Sequence, residues 1–365
     1  MRAEIPAPEP LGSYSPEDVI FLLKDIGQLV VEQSNEERER AMQADKHYSE
    51  MLPIEYRPSV QYINLFYQSL QKSATDIAKA VGIVASAIYQ LHGDNVVLVS
   101  LARAGTPIGV LIKRYFKQYF GIDIPHYSIS IIRDRGIDEN ALFYILQHHS
   151  HVSIQFVDGW TGKGAITKEL IKSLNQFEKK YSIKINSELA VLADPGYCAN
   201  IFGTREDFLI PSACLNSTVS GLMSRTVLRP DLIGPLDFHG AKYYQNLQAD
   251  DLSNFYVDSI TEHFTATTTD ISAFIDHNPS WLGLKNIENI QQEFGIKNIN
   301  LIKPGVGETT RVLLRRVPWQ VLVRDQSHPH LEHIMLLANE RGVPVVEYPN
   351  LAYCCCGLIK PMEKK

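Results

Sequence analysis

Phe156-Val157-Asp158-Gly159-Trp160-Thr161-Gly162-Lys163-Gly164-Ala165 runs from an apolar segment through one acid into a glycine-rich turn that opens a helical pattern. Val152 to Val157 is the continuous apolar kind of strand that parallel sheets bury on both faces, and Ala165 to Lys179 carries helical spacing. An aspartate at the tip of such a strand is placed to hold a sugar hydroxyl or a metal-bound water. The turn behind it offers backbone N–H groups and a helix N-terminus to a phosphate. Thr161 and Lys163 add donors. The P-loop pattern Gly-x-x-x-x-Gly-Lys-Ser/Thr is not met, because both glycines are misplaced and Ala165 has no hydroxyl for a metal.

Working outward, Val96 to Ser100, His126 to Ile132 and Leu189 to Ala193 read as further strands, with helices predicted over Pro107 to Phe120 and Asp138 to His148. Short apolar strands alternating with helices imply an α/β fold: a parallel sheet with helices on both faces and ligands at the strand C-termini. The residues just after each strand are therefore the ones to inspect. After Ser100 comes Leu101-Ala102-Arg103-Ala104-Gly105, which reads either as a tight strand-to-helix turn or as an anion-binding one. After Ile132 come Arg133 and Arg135, either solvated surface arginines or cations able to neutralise charge on a leaving group.

Upstream, Ser15-Pro16-Glu17-Asp18 ahead of Val19 to Leu23 predicts a helix start, His47 to Pro58 an ordered loop, and Tyr62 to Leu91 a long helix. These make residues 1–92 an N-terminal helical extension. Residues 93–280 form the sheet core, closed by an irregular, Ser/Thr-rich hood in which Arg225 is unusual for pure core. Residues 281–365 form a small C-terminal α/β domain. From Leu301 onward nine basic residues face six acidic ones, whereas the remainder has 26 against 35.

The 365 residues are 45% hydrophobic and 21% charged with a net charge of −6, which fits a globular chain able to bury a core and excludes a whole-chain polyanion binder. No Cys-x-x-Cys pair occurs among Cys198, Cys214, Cys354, Cys355 and Cys356, so a structural zinc is not expected, and adjacent cysteines in the extended triplet point to opposite faces. The N-terminus lacks an apolar signal core and no stretch reaches about 18 apolar residues. A cytoplasmic, homo-oligomeric protein away from membranes is expected.

Two phosphate-type turns on successive core strands resemble those of the type I phosphoribosyltransferases, over roughly residues 95–193. The resemblance implies a pyrophosphate loop at Arg103, Ala104 and Gly105, and a 5′-phosphate loop at Thr161, Gly162, Lys163, Gly164 and Ala165. It also implies Asp158 on the ribose and Mg2+, with Arg133 and Arg135 in a loop that closes over the pyrophosphate. Gly159 stands where these enzymes carry a second acid.

With the Tyr14 and His47 to Arg57 segments and the hood, the chain also resembles a bacterial family of tellurite-resistance and stress gene clusters. Its members are described as phosphoribosyltransferases or as StiP-type cysteine proteases. The protease reading needs Cys198 or Cys214 as nucleophile beside His47, His239 or His263. At the C-terminus, Gly305-Val306-Gly307-Glu308-Thr309-Thr310-Arg311 resembles the Gly-x-x-Glu-Thr-x-Lys/Arg turn of the Pelota-type RNA-binding domain. Gly305, Glu308, Thr309, Arg311 and Arg315 would then meet RNA, and the bland counterpart is a packing domain. The expected activity is transfer or cleavage at C1 of a phosphoribosyl pyrophosphate-like donor to an unnamed acceptor, one version of which makes a nucleoside-like metabolite. The alternatives are the cysteine protease and a non-catalytic nucleotide sensor coupled to RNA.

Overall fold

The computed structural model describes residues 4–34, 37–38, 41 and 46–360. Its main sheet contains β1 (Ile20–Leu22), β2 (Val96–Ala102), β3 (His126–Ile132), β4 (Ser153–Trp160), β5 (Leu189–Ala193) and β6 (Ile201–Thr204). The spatial order is β1-β3-β2-β4-β5-β6, all parallel, with the short arm Gly136–Ile137 antiparallel to β3. Along β2 the side chains alternate between two cores. Val96 and Leu98 face one with helices α1 (Val60–His92) and α2 (Gly105–Tyr115), and Val97, Val99 and Leu101 face the other with α3 (Glu139–His148) and α4 (Ala165–Tyr181). Helices therefore cover both faces, as continuous apolar strands require.

The predicted helix start at Ser15 is corrected: Asp18 and Val19 close a turn on the Ser15 carbonyl, and Ile20–Leu22 becomes the edge strand β1, paired with Tyr127 to Ile129. An unbroken run of five apolar residues satisfies a sheet edge on both faces, whereas a helix would have turned part of it to water. The extension thus adds a strand as well as the 33-residue helix α1.

Residues 205–278 are mostly irregular, with short 3-10 turns and α5 (Ser253–Thr261), which packs with α1 and α2. The last block forms a second sheet in the order β7 (Ile302–Pro304), β10 (Cys355–Ile359), β8 (Pro318–Val323), β9 (Val345–Glu347), carrying α6 (Leu282–Glu293), α7 (Val306–Arg315) and α8 (Glu332–Glu340). Its hydrophobic core is not separate: Val306, Leu313, Val323 and Cys355 join one cluster with Leu209, Ile210, Ala213 and Cys214 of the hood. Cys356, on the opposite face of β10, packs with Ile302 and Tyr353. Among the described residues no helix is long and apolar enough to cross a membrane.

Candidate functional site

The turn after β2 and the turn after β4 meet. A side chain at Gly105 would collide with the Val157 carbonyl, and one at Gly159 would begin 3.1 Å from the Ala104 carbonyl oxygen. The backbone of the first turn therefore lies on the strand end that carries Asp158, and it crowds the position where a second acid was expected. Asp158 takes one hydrogen bond, from the Gly159 N–H at 2.7 Å, and burial pushes its carboxyl up to about 7. A carboxyl poised near neutrality suits proton transfer at a reacting centre.

The second turn is held from outside the sheet. Gly164, at φ +75°, is the left-handed residue before α4, and a side chain there would strike the Trp281 ring. The Thr161 hydroxyl donates to Asp194 Oδ1 at 2.6 Å and accepts the Gly196 N–H at 3.0 Å, so it braces the next strand end rather than pointing at a ligand. Lys163 Nζ donates to the Ile299 carbonyl (2.8 Å) and Asn300 Oδ1 (3.2 Å), and the Gly162 carbonyl accepts from Tyr353 Oη (3.1 Å). Burial, with Lys303 and Arg133 nearby, brings the Lys163 ammonium down to about 8. The second turn is thus bound by the C-terminal domain as much as by its own strand.

Arginines converge across the sheet edge. Arg225 from the hood donates to the Tyr48 carbonyl at 2.9 Å. The guanidinium groups of Arg225 and Arg133 lie 4.7 and 5.4 Å from the centre of the Tyr48 ring. Arg103 donates to the Met223 carbonyl at 3.3 Å. Burial lowers Arg225 to about 10, and the charges of Arg38, Arg103 and Arg133 push the same way. Arg135 instead pairs with Glu50 at 2.7 Å, outside this group. The Arg133 segment is a tight turn, Arg135 N–H to Ile132 carbonyl, rather than a long flap. Arg225 had a sequence signal in its polar surroundings; Tyr48 had one only as part of the ordered loop His47 to Pro58.

The thiols give a different picture. Cys198 is buried beneath the Gly162–Gly164 turn, its Sγ 3.7 Å from Thr167 Oγ1, and burial followed by the Asp194 charge pushes it up to about 12. Cys214 is buried in the apolar core. The proposed bases face elsewhere: His47 meets Ser49 (2.8 Å), His239 meets Ser130 (2.9 Å), and His263 is exposed. A thiol does lie beside an imidazole at Cys354, 3.7 Å from His328 Nε2, but burial and Asp207 push that thiol up to about 12.

The C-terminal turn is engaged with the core. Asp207, buried and raised to about 6 by that burial, accepts the Val306 N–H (2.9 Å) with one oxygen and the Cys354 N–H (2.8 Å) with the other. Thr309 is buried, its hydroxyl on the Lys303 carbonyl at 3.3 Å. Arg311 binds Glu308 (3.0 Å) and the Ala213 carbonyl (3.0 Å), 5.7 Å from the centre of the Trp160 ring. The Arg315 side chain lies outside the described part. A narrow cleft of about 20 Å³, room for roughly one water, opens at this seam, walled by Trp160, Asp207, Phe208, Gly305 and Glu308.

Among the described residues no group of three or more His, Cys, Asp or Glu side chains is arranged for a metal. Asp158, with a single protein hydrogen bond, fits Mg2+ only where a ligand's phosphates and water complete the shell.

Residues 281–361 match the Pelota RNA-binding domain. Solved structures that overlap the chain include a Helicobacter pylori xanthine-guanine-hypoxanthine phosphoribosyltransferase, 18% identical with TM-score 0.23, covering 35% of this chain and 72% of that one. A hypothetical protein from Neisseria gonorrhoeae with bound ppGpp is 14% identical with TM-score 0.21, covering 32% and 66%. The curated "Cysteine protease StiP" of Acinetobacter baylyi is 37% identical over 353 residues, 92% of this chain and 89% of that protein. Together with the match of residues 12–261 to the family described as tellurite-like stress resistance cysteine protease StiP, this places the chain in the StiP family.

Proposed function

We propose that the crevice at the C-terminal edge of the main sheet binds a phosphorylated ribose carrying a pyrophosphate and breaks its bond at C1. The single observation behind this reading is the convergence of Arg103, Arg133 and Arg225 from three separate segments, with Arg38 adding its charge; Arg103 follows the strand paired with the one that carries Asp158. A bound pyrophosphate would offset the mutual repulsion of these guanidinium groups through charge-assisted hydrogen bonds. The C1–O bond to pyrophosphate breaks, and pyrophosphate leaves with the electron pair toward the arginines. The acceptor's lone pair forms the new bond to C1, and its proton passes to the Asp158 carboxylate. Mg2+, held by Asp158 and the donor's phosphates, would supply further neutralisation of the leaving group. Isothermal titration of phosphoribosyl pyrophosphate with Mg2+ tests the reading: wild type binds, and Arg225→Met weakens binding at least ~10-fold, the loss of one charge-assisted contact. No heat with the wild type removes it.

The family's description makes peptide hydrolysis the second reading, and Cys354 beside His328 is the geometry that favours it. Replacing Cys198, Cys214 and Cys354 singly by Ser and assaying peptide cleavage separates the two; an unchanged rate in all three removes the protease.

A further inference from the structure

Tyr48 belongs to the N-terminal extension, outside the sheet core, yet it touches two members of the arginine group. Its ring centre is 4.7 Å from the Arg225 guanidinium and 5.4 Å from that of Arg133. Its carbonyl accepts Arg225 Nη2 at 2.9 Å, and the Arg133 backbone amide donates to its hydroxyl. One residue thus holds an arginine from the hood and another from the turn after β3, each by two contacts. The electron-rich face of a tyrosine attracts a guanidinium, so the ring offsets part of the repulsion between two cations brought to one place.

The segment that carries the ring is itself fixed. His47 Nδ1 meets Ser49 Oγ at 2.8 Å, and the carbonyl of the buried Ser49 accepts the Leu228 N–H at 3.0 Å. Glu50 accepts Arg135 Nη2 at 2.7 Å. The Tyr48 turn is therefore pinned to the hood on one side and to the Arg133–Arg135 turn on the other. Arg133 Nη1 also donates to Asn300 Oδ1 at 3.2 Å, and Asp134 is the carboxylate beside it at 3.6 Å. Neither of these groups reaches Arg225 in the hydrogen bonds described, so Tyr48 is what the two arginines share. A monophosphate can satisfy one guanidinium fork, whereas a pyrophosphate offers oxygens to two forks held side by side.

We propose that Tyr48 is the positioning residue that spaces Arg225 and Arg133 for the two phosphates of a pyrophosphate group, and thereby sets the preference of the crevice for a diphosphate over a monophosphate leaving group. This rests on the reading of the crevice as the place where pyrophosphate departs. To that reading it adds a residue from outside the α/β core and a basis for choosing between leaving groups.

The test uses the full chain and two simple probes, inorganic pyrophosphate and inorganic phosphate, each titrated calorimetrically with Mg2+. Wild type is expected to bind pyrophosphate at least ~10-fold more tightly than phosphate. Tyr48→Leu is expected to weaken pyrophosphate about 10-fold and to leave phosphate within about 2-fold, so that the ratio between the probes collapses. Tyr48→Met, which fills the space with a flexible apolar chain, is the second variant without a ring and is expected to behave alike. Tyr48→Phe keeps the ring and the carbonyl and is expected to keep the wild-type ratio. A purely structural role for the ring would weaken both probes together and leave their ratio intact. An unchanged ratio in a folded variant without the ring overturns the proposal, and so does a wild type that does not distinguish the probes.

Phosphoribosyl pyrophosphate titrated into the same proteins keeps the two readings apart. Its failure to bind a wild type that prefers pyrophosphate removes the ribose reading and leaves the spacing role. Equal binding to wild type and to the variants without the ring removes the spacing role and leaves the ribose reading.

Discussion

The two glycine-bearing turns at the edge of the main sheet, Arg103–Gly105 and Thr161–Gly164, have similar composition and different supports. The first lies directly on the end of β4, so closely that Gly105 has no room for a side chain and one at Gly159 would press on the Ala104 carbonyl. The second is held by groups far away in the chain: Asp194 through Thr161, Tyr353 through the Gly162 carbonyl, and Ile299 and Asn300 through Lys163. One turn is a property of the sheet, whereas the other is a joint between domains. Perturbations of the first should damage the fold and the crevice together, and perturbations of the second should loosen the domain seam first.

The largest effect is expected at Gly105→Ala, because the added methyl meets backbone rather than a movable side chain. A loss of roughly 1–3 kcal/mol of stability, as for overpacking, is expected together with loss of phosphoribosyl pyrophosphate binding. Calorimetric melting and titration of the same sample check it, and an unaltered melting temperature would contradict the close packing of the first turn.

Asp158→Asn separates the chemistry from that packing. Pyrophosphate release is expected to fall about 10²–10⁴-fold with donor binding largely kept, the size of a lost general base. In wild type the rate should fall tenfold per pH unit below about 7, where Asp158 takes up its proton. Its folded-state value is raised above the unfolded one, so the folded protein binds the extra proton between about 4 and 7. Stability therefore declines as pH rises through that window. The Asn variant lacks this decline, and its melting temperature should exceed wild type by a margin that grows from pH 4 to pH 8. A margin independent of pH would show that Asp158 is not the group responsible.

The smallest effect is expected on the second turn: Tyr353→Phe deletes one hydrogen bond across the seam and should cost about 0.5–1.5 kcal/mol. Hydrogen exchange should then rise around residues 281–360 and the second turn, and not around the first. Equal loosening of both turns would erase the distinction between them.

How far each turn could be read from sequence follows the same division. The strands and helices of the core were legible because continuous apolar runs and helical spacing are local signals. His126–Ile132 and Leu189–Ala193 are strands over the predicted span, and Asp138 caps α3 with its carboxylate on the Asn140 and Ala141 amides. Val19 to Leu23 misled because a proline and an N-cap serine serve a turn as well as a helix. The direction of the Thr161 hydroxyl was set by Asp194, 33 residues away, and the start of α7 by Asp207, 99 residues away; no spacing rule reaches that far. Gly159 looked like a missing acid until the Ala104 carbonyl was seen beside it. The histidines proposed as bases were plausible by type alone, since only the fold shows that the rings of His47 and His239 meet Ser49 and Ser130 and that His263 is exposed.

Asp207 also bears on how such a chain can be cut and recombined. Its two oxygens complete the start of α7 and hold the amide just ahead of β10, and the chain that follows it carries Leu209, Ile210 and Cys214, which share a core with Val306 and Leu313. A fragment beginning at residue 281 would leave that carboxylate behind, exposing an uncapped helix and an oily flank to water. Grafted onto an unrelated partner, the same fragment would need a replacement acid at that position. The two halves therefore form a matched set, and a natural shuffling event that kept one without the other would have to rebuild the joint.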